Sequence, residues 1–352
     1  MSRHTKALLV AASVLLALYV TLGVVPAPYV VMSPGPTVNL LGAHEGNDYI
    51  QIHGAPVYRD RGALRMLTVV STGPEEHVSA WDALTAWGSP RDAVYRYEDI
   101  YAPQETSETV KEDAGVDMTN SQDTAIAVAL HRLGKTFPTY VQILGVAPDG
   151  PSEGILQVHD LVLRVQGQRI TSPEEAVTAI QGAKPGDRVR LVIKRKGHIR
   201  NVSVTAIEST REKGKAALQV SIGIGYEFPI DVRVALDDNI GGPSAGMMFA
   251  TAIYDTLTPG SLTGGQSVAG TGTIDTDGRV GPIGGIGQKL AAAEAAGAKL
   301  FLAPAGNCDE VRAATWDHSA MRVVRVDTFD QAISDIEAWS KDPKATMVEC
   351  TS

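Results

Sequence analysis

The spacing of hydrophobic and polar residues changes several times along this 352-residue chain, and the first change is the sharpest. Residues 7–25 form an apolar run without a charged side chain, "ALLVAASVLLALYVTLGVV". As a helix this run would be roughly 28 Å long, close to the hydrocarbon thickness of a bilayer. Because Arg3, His4 and Lys6 precede it, we expect a signal anchor over residues 1–28 that keeps the N-terminus in the cytoplasm. A cleaved signal peptide and a buried core helix are the alternatives.

A membrane-proximal region with mixed α+β patterning follows over residues 29–134. Its pattern predicts two strands, at residues 49–58 and 62–71, joined by a turn at residues 59–62. Two predicted helices follow, at residues 79–88 and 121–134. Ser121 is the predicted N-cap of the second helix, and Gly134 is its predicted end. The pattern assigns no chemistry to this region.

Short runs of Val, Ile and Leu alternate with turns over residues 139–206, and one helix starts at the Ser172-Pro173 pair. This alternation is typical of a mainly-β domain, which we place at residues 135–207. The stretch over residues 208–217 is charged and poor in aliphatic residues, so we interpret it as a linker.

Strands and helices alternate over residues 218–342, before a tail over residues 343–352. The predicted order is a strand "DVRVAL", a helix "SAGMMFATAIYDTL", a strand "QSVAGTGTI", a helix "IGQKLAAAEAAGA", two strands "KLFLAP" and "MRVVRV", and a closing helix "TFDQAISDIEAW". This order predicts an α/β or α+β domain of about 120 residues.

Composition and charge exclude several classes of function. The net charge is −9 and no basic stripe stands out, so we expect no nucleic-acid partner. Gly134-Lys135-Thr136 resembles the end of a phosphate-binding loop, but Ala129 stands where that motif has glycine, so we expect no nucleotide. No group of His, Cys and acidic residues has metal-ligand spacing, and we therefore expect neither a metal nor a cofactor.

The two cysteines, Cys308 and Cys350, lie near the end of the chain. In an exported domain they could form a disulfide that holds the tail. Two separate thiols are the alternative, and the sequence leaves both open.

The stretch "GGPSAG", residues 241–246, has the composition of a nucleophile loop. Gly241 and Gly242 allow backbone to approach a substrate closely, and Pro243 suits the start of a helix. Ser244 would then lie in the first helical turn, and the backbone N–H groups of Gly242 and Ser244 could stabilise an oxyanion. A serine that only caps a helix has the same local sequence, so this stretch alone leaves both interpretations open.

A serine nucleophile needs a base, and Lys289 is the candidate, because it follows a glycine-rich turn into a helix. Lysines on helices are usually solvated surface charges, and a lysine accepts a proton only when it is neutral. Lowering its pKa from about 10.4 to about 8 requires roughly 3 kcal/mol of desolvation or like-charge repulsion. A site among Gly, Ala and Ile residues could supply that energy. His318, the only histidine after His198, lies in a polar stretch and is not preferred.

Together, these C-terminal motifs resemble the proteolytic domain of Lon-type peptidases over roughly residues 218–340. The matching stretches are "GGPSAGMMFATAIYDTL", "VAGTGTIDTDGRVGPIGGIGQKLAAAEAAGAK" and "FLAPAGNCDEV". The resemblance implies that Ser244 is the nucleophile, that Lys289 is the general base, and that Thr271 orients the lysine.

The stretches "APDGPSEGIL", "HDLVLRVQGQRI" and "KPGDRVRLVIKRKG" resemble a PDZ domain of the type found with bacterial proteases. PDZ domains bind extended peptides by adding them as a strand to a sheet edge, and a β-rich spacer is the alternative interpretation. Family members usually have Gly-Asp where this chain has His159-Asp160. The two resemblances imply an α/β (α+β) Lon-type proteolytic domain preceded by a mainly-β PDZ domain and an N-terminal transmembrane helix.

The sequence departs from Lon proteases in two respects. It contains no Walker motif, so ATP-driven unfolding is not implied by the resemblance. The segment before the serine is "LDDNIGG" where many Lon enzymes have Lys-Asp-Gly, and we expect Asp237 and Asp238 to form a solvated turn.

The expected function is that of a membrane-anchored, ATP-independent serine endopeptidase that hydrolyses peptide bonds of extracytoplasmic or membrane proteins. Its expected partners are protein or peptide substrates, which the PDZ region would select or gate, and the lipid bilayer around residues 7–25. We expect a single-pass protein of a bacterial cell membrane with its catalytic domain outside, and the sequence leaves the oligomeric state open, a homo-oligomer included. The alternatives are a catalytically inert PDZ/Lon-like membrane scaffold that binds peptide tails and a Ser–Lys hydrolase that acts on other bonds.

Overall fold

The computed structural model describes residues 2–59, 61–237 and 239–350. The first part of the chain contains α1 (Arg3–Val24), β1 (Pro26–Ala27), β2 (Tyr29–Asn39), β3 (Ala43–His44), β4 (Asn47–Asp48), β5 (Ile50–His53), β6 (Ala63–Ser71), β7 (Val78–Ser79), α2 (Ala80–Trp87), β8 (Ala93–Arg96), α3 (Tyr97–Ile100) and α4 (Ser107–Arg132). The 22-residue helix α1 is long and apolar enough to cross a membrane, and none of its residues is buried against the rest of the chain.

The two strands predicted over residues 49–58 and 62–71 are present as β5 and β6, but they do not pair with each other. In the structure β5 pairs with β17 (Asp231–Val234), whereas β6 pairs with β2 on one side and with β18 (Ser267–Gly270) on the other. The two strands separate because the apolar residues of β5 are buried against those of β17, so each strand finds its partner far along the chain. The predicted turn includes Asp60, which lies outside the described residues.

Helix α4 is nearly twice as long as the sequence predicted. It has 26 residues and begins after Thr106, whose side chain accepts a hydrogen bond from the N–H of Thr109 at 3.2 Å. The apolar pattern marks only its second half, because the first half is largely polar and exposed. Ser121, the predicted N-cap, therefore lies in the middle of the helix and is buried.

The middle of the chain is mainly β. It contains β9 (Thr139–Val146), β10 (Leu161–Val165), β11 (Gln168–Arg169), α5 (Pro173–Gln181), β12 (Arg188–Arg195), β13 (His198–Thr205), β14 (Ile207–Glu208), β15 (Ala216–Ala217) and β16 (Val220–Tyr226). Sheet B has the order β13-β12-β10-β9-β16, with β11 beside β10. Strand β16 closes this sheet from beyond the stretch interpreted as a linker, so the pairing crosses the domain boundaries placed on the sequence.

The last part of the chain alternates strands and helices. It contains β17 and β18, defined above, together with α6 (Gly246–Leu257), β19 (Thr273–Ile274), β20 (Val280–Gly281), α7 (Ile286–Ala295), β21 (Leu300–Pro304), a 3₁₀ turn (Ala305–Asn307), α8 (Cys308–Ala313), β22 (Arg322–Val326) and α9 (Phe329–Lys341). Cys308 and Cys350 form a disulfide, which fixes the tail to α8.

Sheet A has the order β22-β21-β18-β6-β2-β8 and combines strands from both ends of the described chain. Strands β6, β18, β21 and β22 run parallel, whereas β2 and β8 are antiparallel to their neighbours. Alternate residues of β21 face opposite sides: Leu300 and Leu302 pack with α4, α6 and α9, whereas Phe301 and Ala303 pack with α7 and α8. Sheet A is therefore the middle layer of a three-layer α/β fold, to which the membrane-proximal region contributes three strands.

Sheet B packs on α4. A Cβ atom on Gly145 of β9 would lie 2.6 Å from a side-chain carbon of Val116, so only glycine permits this approach. Further along α4, the carboxylate of Asp123 accepts a hydrogen bond from Gln142 at 2.6 Å and raises the pKa of His159. His159 has a φ of +69°, a left-handed conformation that glycine adopts easily, which explains why glycine is usual at this position. The histidine side chain reaches Asp123 on α4.

Candidate active site

The residues expected to carry chemistry lie at the carboxyl end of β18. In the described part of the chain, β6 and β18 pair only over residues 63–65 and 267–269, and beyond these residues the two strands separate. The separation opens a cleft of about 590 Å³. Its walls are formed by Pro36, Met66, Leu67, Thr68, Val69, Val70, Met118, Asp237, Asn239, Ile240, Gly241, Gly242, Ser244, Ala245, Gly284 and Lys289.

The loop before Ser244 is held by α4. Gly242 has a φ of +88°, a left-handed conformation that favours glycine, and its N–H donates to the carbonyl of Ala114 at 2.9 Å. The carbonyl of Pro243 accepts a hydrogen bond from Oγ of Ser121 at 3.1 Å. Two hydrogen bonds to one neighbouring helix therefore fix the backbone that presents Ser244.

Ser244 itself precedes the helix in which the sequence placed it. Helix α6 begins at Gly246, with Ala245 as its N-cap. The carbonyl of Ser244 instead accepts hydrogen bonds from the N–H of Gly272 at 2.8 Å and from Oγ1 of Thr271 at 2.9 Å. Because this carbonyl is bonded to the end of β18, the residue is held outside the helix and its side chain faces the cleft.

Lys289 lies in α7, whose left-handed N-cap is Gly285. Its Nζ is 2.7 Å from Oγ of Ser244 and 3.0 Å from Oγ1 of Thr271. The lysine is only 3% exposed, and burial lowers its pKa from 10.5 to about 8. The sequence analysis left desolvation and like-charge repulsion open as causes of such a pKa, and the cause here is burial.

The hydroxyl of Thr271 fixes the direction of proton donation. Its O–H donates to the carbonyl of Ser244, so its oxygen must accept from an N–H of Lys289. A neutral lysine has one lone pair, which this arrangement leaves for the O–H of Ser244. In the structure Nζ of Lys289 donates to Oγ of Ser244, so the serine proton would turn toward nitrogen only once the lysine is neutral.

One of the two backbone N–H groups expected to stabilise an oxyanion is already engaged in another hydrogen bond. The N–H of Gly242 already donates to Ala114 and is not available to a substrate. Among the described residues, the N–H groups of Ser244 and Ala245 have no hydrogen-bond acceptor in the protein. These two adjacent donors follow the positive-φ glycine and lie beside the side chain of Ser244 in the cleft wall.

Three residues were expected to stay outside the site: Asp237 and Asp238, as a solvated turn, and His318, which was not preferred as the base. Asp237 is exposed at the cleft rim, where it accepts hydrogen bonds from the backbone and side chain of Asn239. Asp238 lies outside the described residues. His318 is exposed, and its ring packs on Trp316 with centroids 4.1 Å apart, so it lines no part of the cleft described above.

The sequence interpretation missed the contribution of the first 134 residues. Ser121, the carbonyl of Ala114 and residues 66–70 of β6 all support or line the cleft. Ser121 lies among the polar residues 119–124, where one serine does not stand out, so the sequence held no signal for its role. Backbone groups leave no signal in the sequence, so the other two contributions had none.

Comparison with protein families identifies both folded regions. Residues 235–336 match the Lon protease (S16) C-terminal proteolytic domain, and residues 113–206 match the PDZ domain. The Lon protease of Campylobacter concisus is 41% identical over 96 residues, which are 27% of this chain and 12% of that protein. The Lon protease of Rhizobium meliloti is 31% identical over 159 residues, 43% of this chain and 19% of that protein. The chain thus spans at most about a fifth of the length of these curated relatives.

Solved structures that are similar to this chain include two PDZ domains of SdrC-like proteins. The domain from Listeria innocua is 26% identical and covers 24% of this chain and 92% of its own, with a TM-score of 0.22. The domain from Listeria monocytogenes is 20% identical and covers 25% of this chain and 92% of its own, with a TM-score of 0.23.

Proposed function

Since the chain carries a Lon-type proteolytic domain and a PDZ domain, we propose that it is a membrane-anchored serine endopeptidase with a catalytic dyad of Ser244 and Lys289. The 2.7 Å contact between Nζ of Lys289 and Oγ of Ser244, with the lysine pKa lowered to about 8, carries this proposal. At pH 7 about a tenth of such a lysine is neutral, against roughly one in three thousand at the ordinary value. Burial therefore raises the population of the basic form by more than two orders of magnitude.

The proposed reaction begins when neutral Lys289 accepts the proton of Ser244 as the serine oxygen attacks a peptide carbonyl. The N–H groups of Ser244 and Ala245 stabilise the negative charge that develops on the carbonyl oxygen. Protonated Lys289 then gives its proton to the leaving amine. Lys289, now neutral, accepts a proton from the water that attacks the acyl-enzyme and gives it to Oγ of Ser244 as the ester bond breaks. Thr271 keeps the lysine nitrogen aligned throughout, because its own hydroxyl is committed to the carbonyl of Ser244.

The far wall of the cleft favours a peptide over other acyl substrates. Beyond Arg65, strand β6 has a partner strand on one side only in the described chain, and residues 66–70 line the cleft. An extended peptide can add to such an edge through backbone hydrogen bonds, which places its carbonyls opposite Ser244. This edge, rather than a closed pocket, supports an endopeptidase.

Three further parts of the proposal rest on the family resemblance and on α1. Helix α1 anchors the chain, the N-terminal basic residues keep that end in the cytoplasm, and the catalytic domain acts outside. The PDZ domain selects or gates protein substrates, and cleavage requires no ATP.

The selective role of the PDZ domain can be tested on α5. A Val177→Asp substitution on the exposed face of this helix should slow cleavage of folded proteins and spare a short peptide. Thr178→Asp on the same helix is the control, and equal effects of both would remove the selective role.

The test of the activity uses the full chain in detergent with an unstructured fluorogenic peptide and no added nucleotide. We expect cleavage by the parent and none by Ser244→Ala, whereas Ser334→Ala, an exposed serine on α9, should cleave normally. If the unsubstituted protein binds the peptide without cleaving it, the result would favour the catalytically inert membrane scaffold. Cleavage of esters but of no peptide bond would favour the other hydrolase.

A further inference from the structure

Helix α2 presents an apolar face that the protein does not cover. Trp81, Leu84 and Trp87 are 44%, 50% and 80% exposed, and their three-residue spacing puts them on one face. The opposite face packs against the protein through Ala83 and Ala86. Two exposed tryptophans on one eight-residue helix are unusual for a surface in contact with water alone.

The position of α2 is fixed relative to the end of α1. The N–H of Ala80 donates to the carbonyl of Val25 at 3.3 Å, and β1, directly after α1, pairs with β7, directly before α2. The two helices also touch, since the rings of Tyr19 and Trp81 have centroids 5.5 Å apart. Tyr19 lies about 9 Å before Val25 along the helix axis. Trp81 therefore reaches back past the level at which α1 ends.

We propose that α2 is a second membrane contact, in which Trp81, Leu84 and Trp87 insert at the boundary between headgroups and acyl chains of the bilayer that α1 crosses. The inference rests on the proposed anchoring by α1. Tryptophan favours this boundary, because its ring is apolar and its N–H can bond to the headgroup region. A short helix with one apolar face lies in the plane of the interface for the same reason.

The contact would set the height and tilt of the catalytic domain. Helix α2 leads directly into β8, the edge strand of sheet A, and sheet A forms the cleft wall at β6. Because α2 is held at the end of α1, a contact between α2 and the bilayer gives the domain a second attachment point beside the anchor. With α2 inserted, the cleft keeps one orientation, and protein segments close to the membrane surface reach it in a fixed geometry.

The experiment measures tryptophan emission of the full chain in phosphatidylcholine vesicles with and without bromine on the acyl chains. The remaining tryptophans, Trp316 and Trp339, are buried in the catalytic domain. We expect brominated lipid to quench the parent and to leave a Trp81→Phe/Trp87→Phe variant unchanged. Ile199→Trp in that variant, on the exposed outer strand of sheet B, should restore emission but no quenching.

Each of the following outcomes would overturn the inference and would show which part of it is wrong. Equal quenching of the parent and the double variant means that α2 does not enter the bilayer. Protection of the tryptophans from aqueous acrylamide without quenching by brominated lipid means that a protein covers α2. Extraction of the chain by alkaline carbonate means that α1 does not span the membrane, which refutes the anchoring itself. Peptide cleavage does not enter this readout, so the proposed activity is tested separately.

Discussion

The two walls of the cleft contribute in different ways. One wall comes from residues 241–289, inside the segment that matches the Lon proteolytic domain, and it supplies all three hydroxyl and amine groups of the proposed chemistry. The other wall comes from β6 and α4, outside that segment, and it supplies a strand edge and two hydrogen bonds to the nucleophile loop. The comparison separates groups that we propose react from groups that hold position, and substitutions in the two walls should differ accordingly.

The largest expected effect is on the reacting wall. Lys289→Arg should lower peptide cleavage by about 10³-fold or more, because a guanidinium stays protonated and cannot accept the serine proton. Lys299→Arg, an exposed lysine of the same domain, should cleave like the parent. Near-normal cleavage by Lys289→Arg, measured on the folded variant, would remove the lysine from the mechanism.

The same lysine should weaken the fold at neutral pH. A pKa of about 8 in place of 10.5 means that the folded state disfavours the charged lysine. Lys289→Met should thus raise the free energy of unfolding at pH 7 by up to about 3 kcal/mol. Both states are protonated below the folded pKa, so the gain is full there and disappears as pH rises from about 8 to about 10.5. Denaturant unfolding measures it, and an unchanged or lower stability would contradict the burial of a charge.

Thr271→Val should have an intermediate effect, because it removes the orienting hydroxyl and leaves the dyad. We expect about a 10- to 100-fold loss of kcat, from a lysine nitrogen that is no longer aligned. Thr251→Val is the control, since Thr251 is equally buried but bonds only within α6. Similar losses in both variants would assign the effect to packing.

The smallest effect is expected on the supporting wall. Ser121→Ala leaves the carbonyl of Pro243 without its donor, which should lower kcat by roughly 3- to 10-fold and stability by about 1 kcal/mol. KM should not change, because Ser121 does not line the cleft. Thr119→Ala, whose hydroxyl bonds within α4, is the control. A loss as large as that of Lys289→Arg would mean that the two walls do not divide the work as described.

The reacting wall could be predicted from the sequence because its information is carried by side chains. Ser244, Thr271 and Lys289 lie in long ordered stretches, and the structure brings their polar atoms within 3.0 Å of one another. Their catalytic roles stay predictions. The oxyanion donor at Gly242 could not be predicted correctly, because its N–H is occupied by a carbonyl on α4, over a hundred residues away.

The supporting wall could not be predicted, because long-range backbone contacts determine it. Residues 49–58 and 62–71 have the pattern of two strands joined by a turn, yet β5 pairs with β17, and β6 pairs with β2 and β18. The polar first half of α4 hid its true length, although that half contains Ala114, which holds the nucleophile loop. Local pattern identified the elements here, and only tertiary pairing decided their place in the fold.

The pH dependence of cleavage tests the central claim most directly. We predict that kcat/KM for an uncharged fluorogenic peptide rises with pH through one ionisation at about 8, because only neutral Lys289 accepts the proton of Ser244. Below that value the rate should fall about tenfold per pH unit, and above it the rate should reach a plateau. A rate that does not change between about pH 6 and about pH 10, or a transition near the histidine value of about 6.5, would contradict a lysine base.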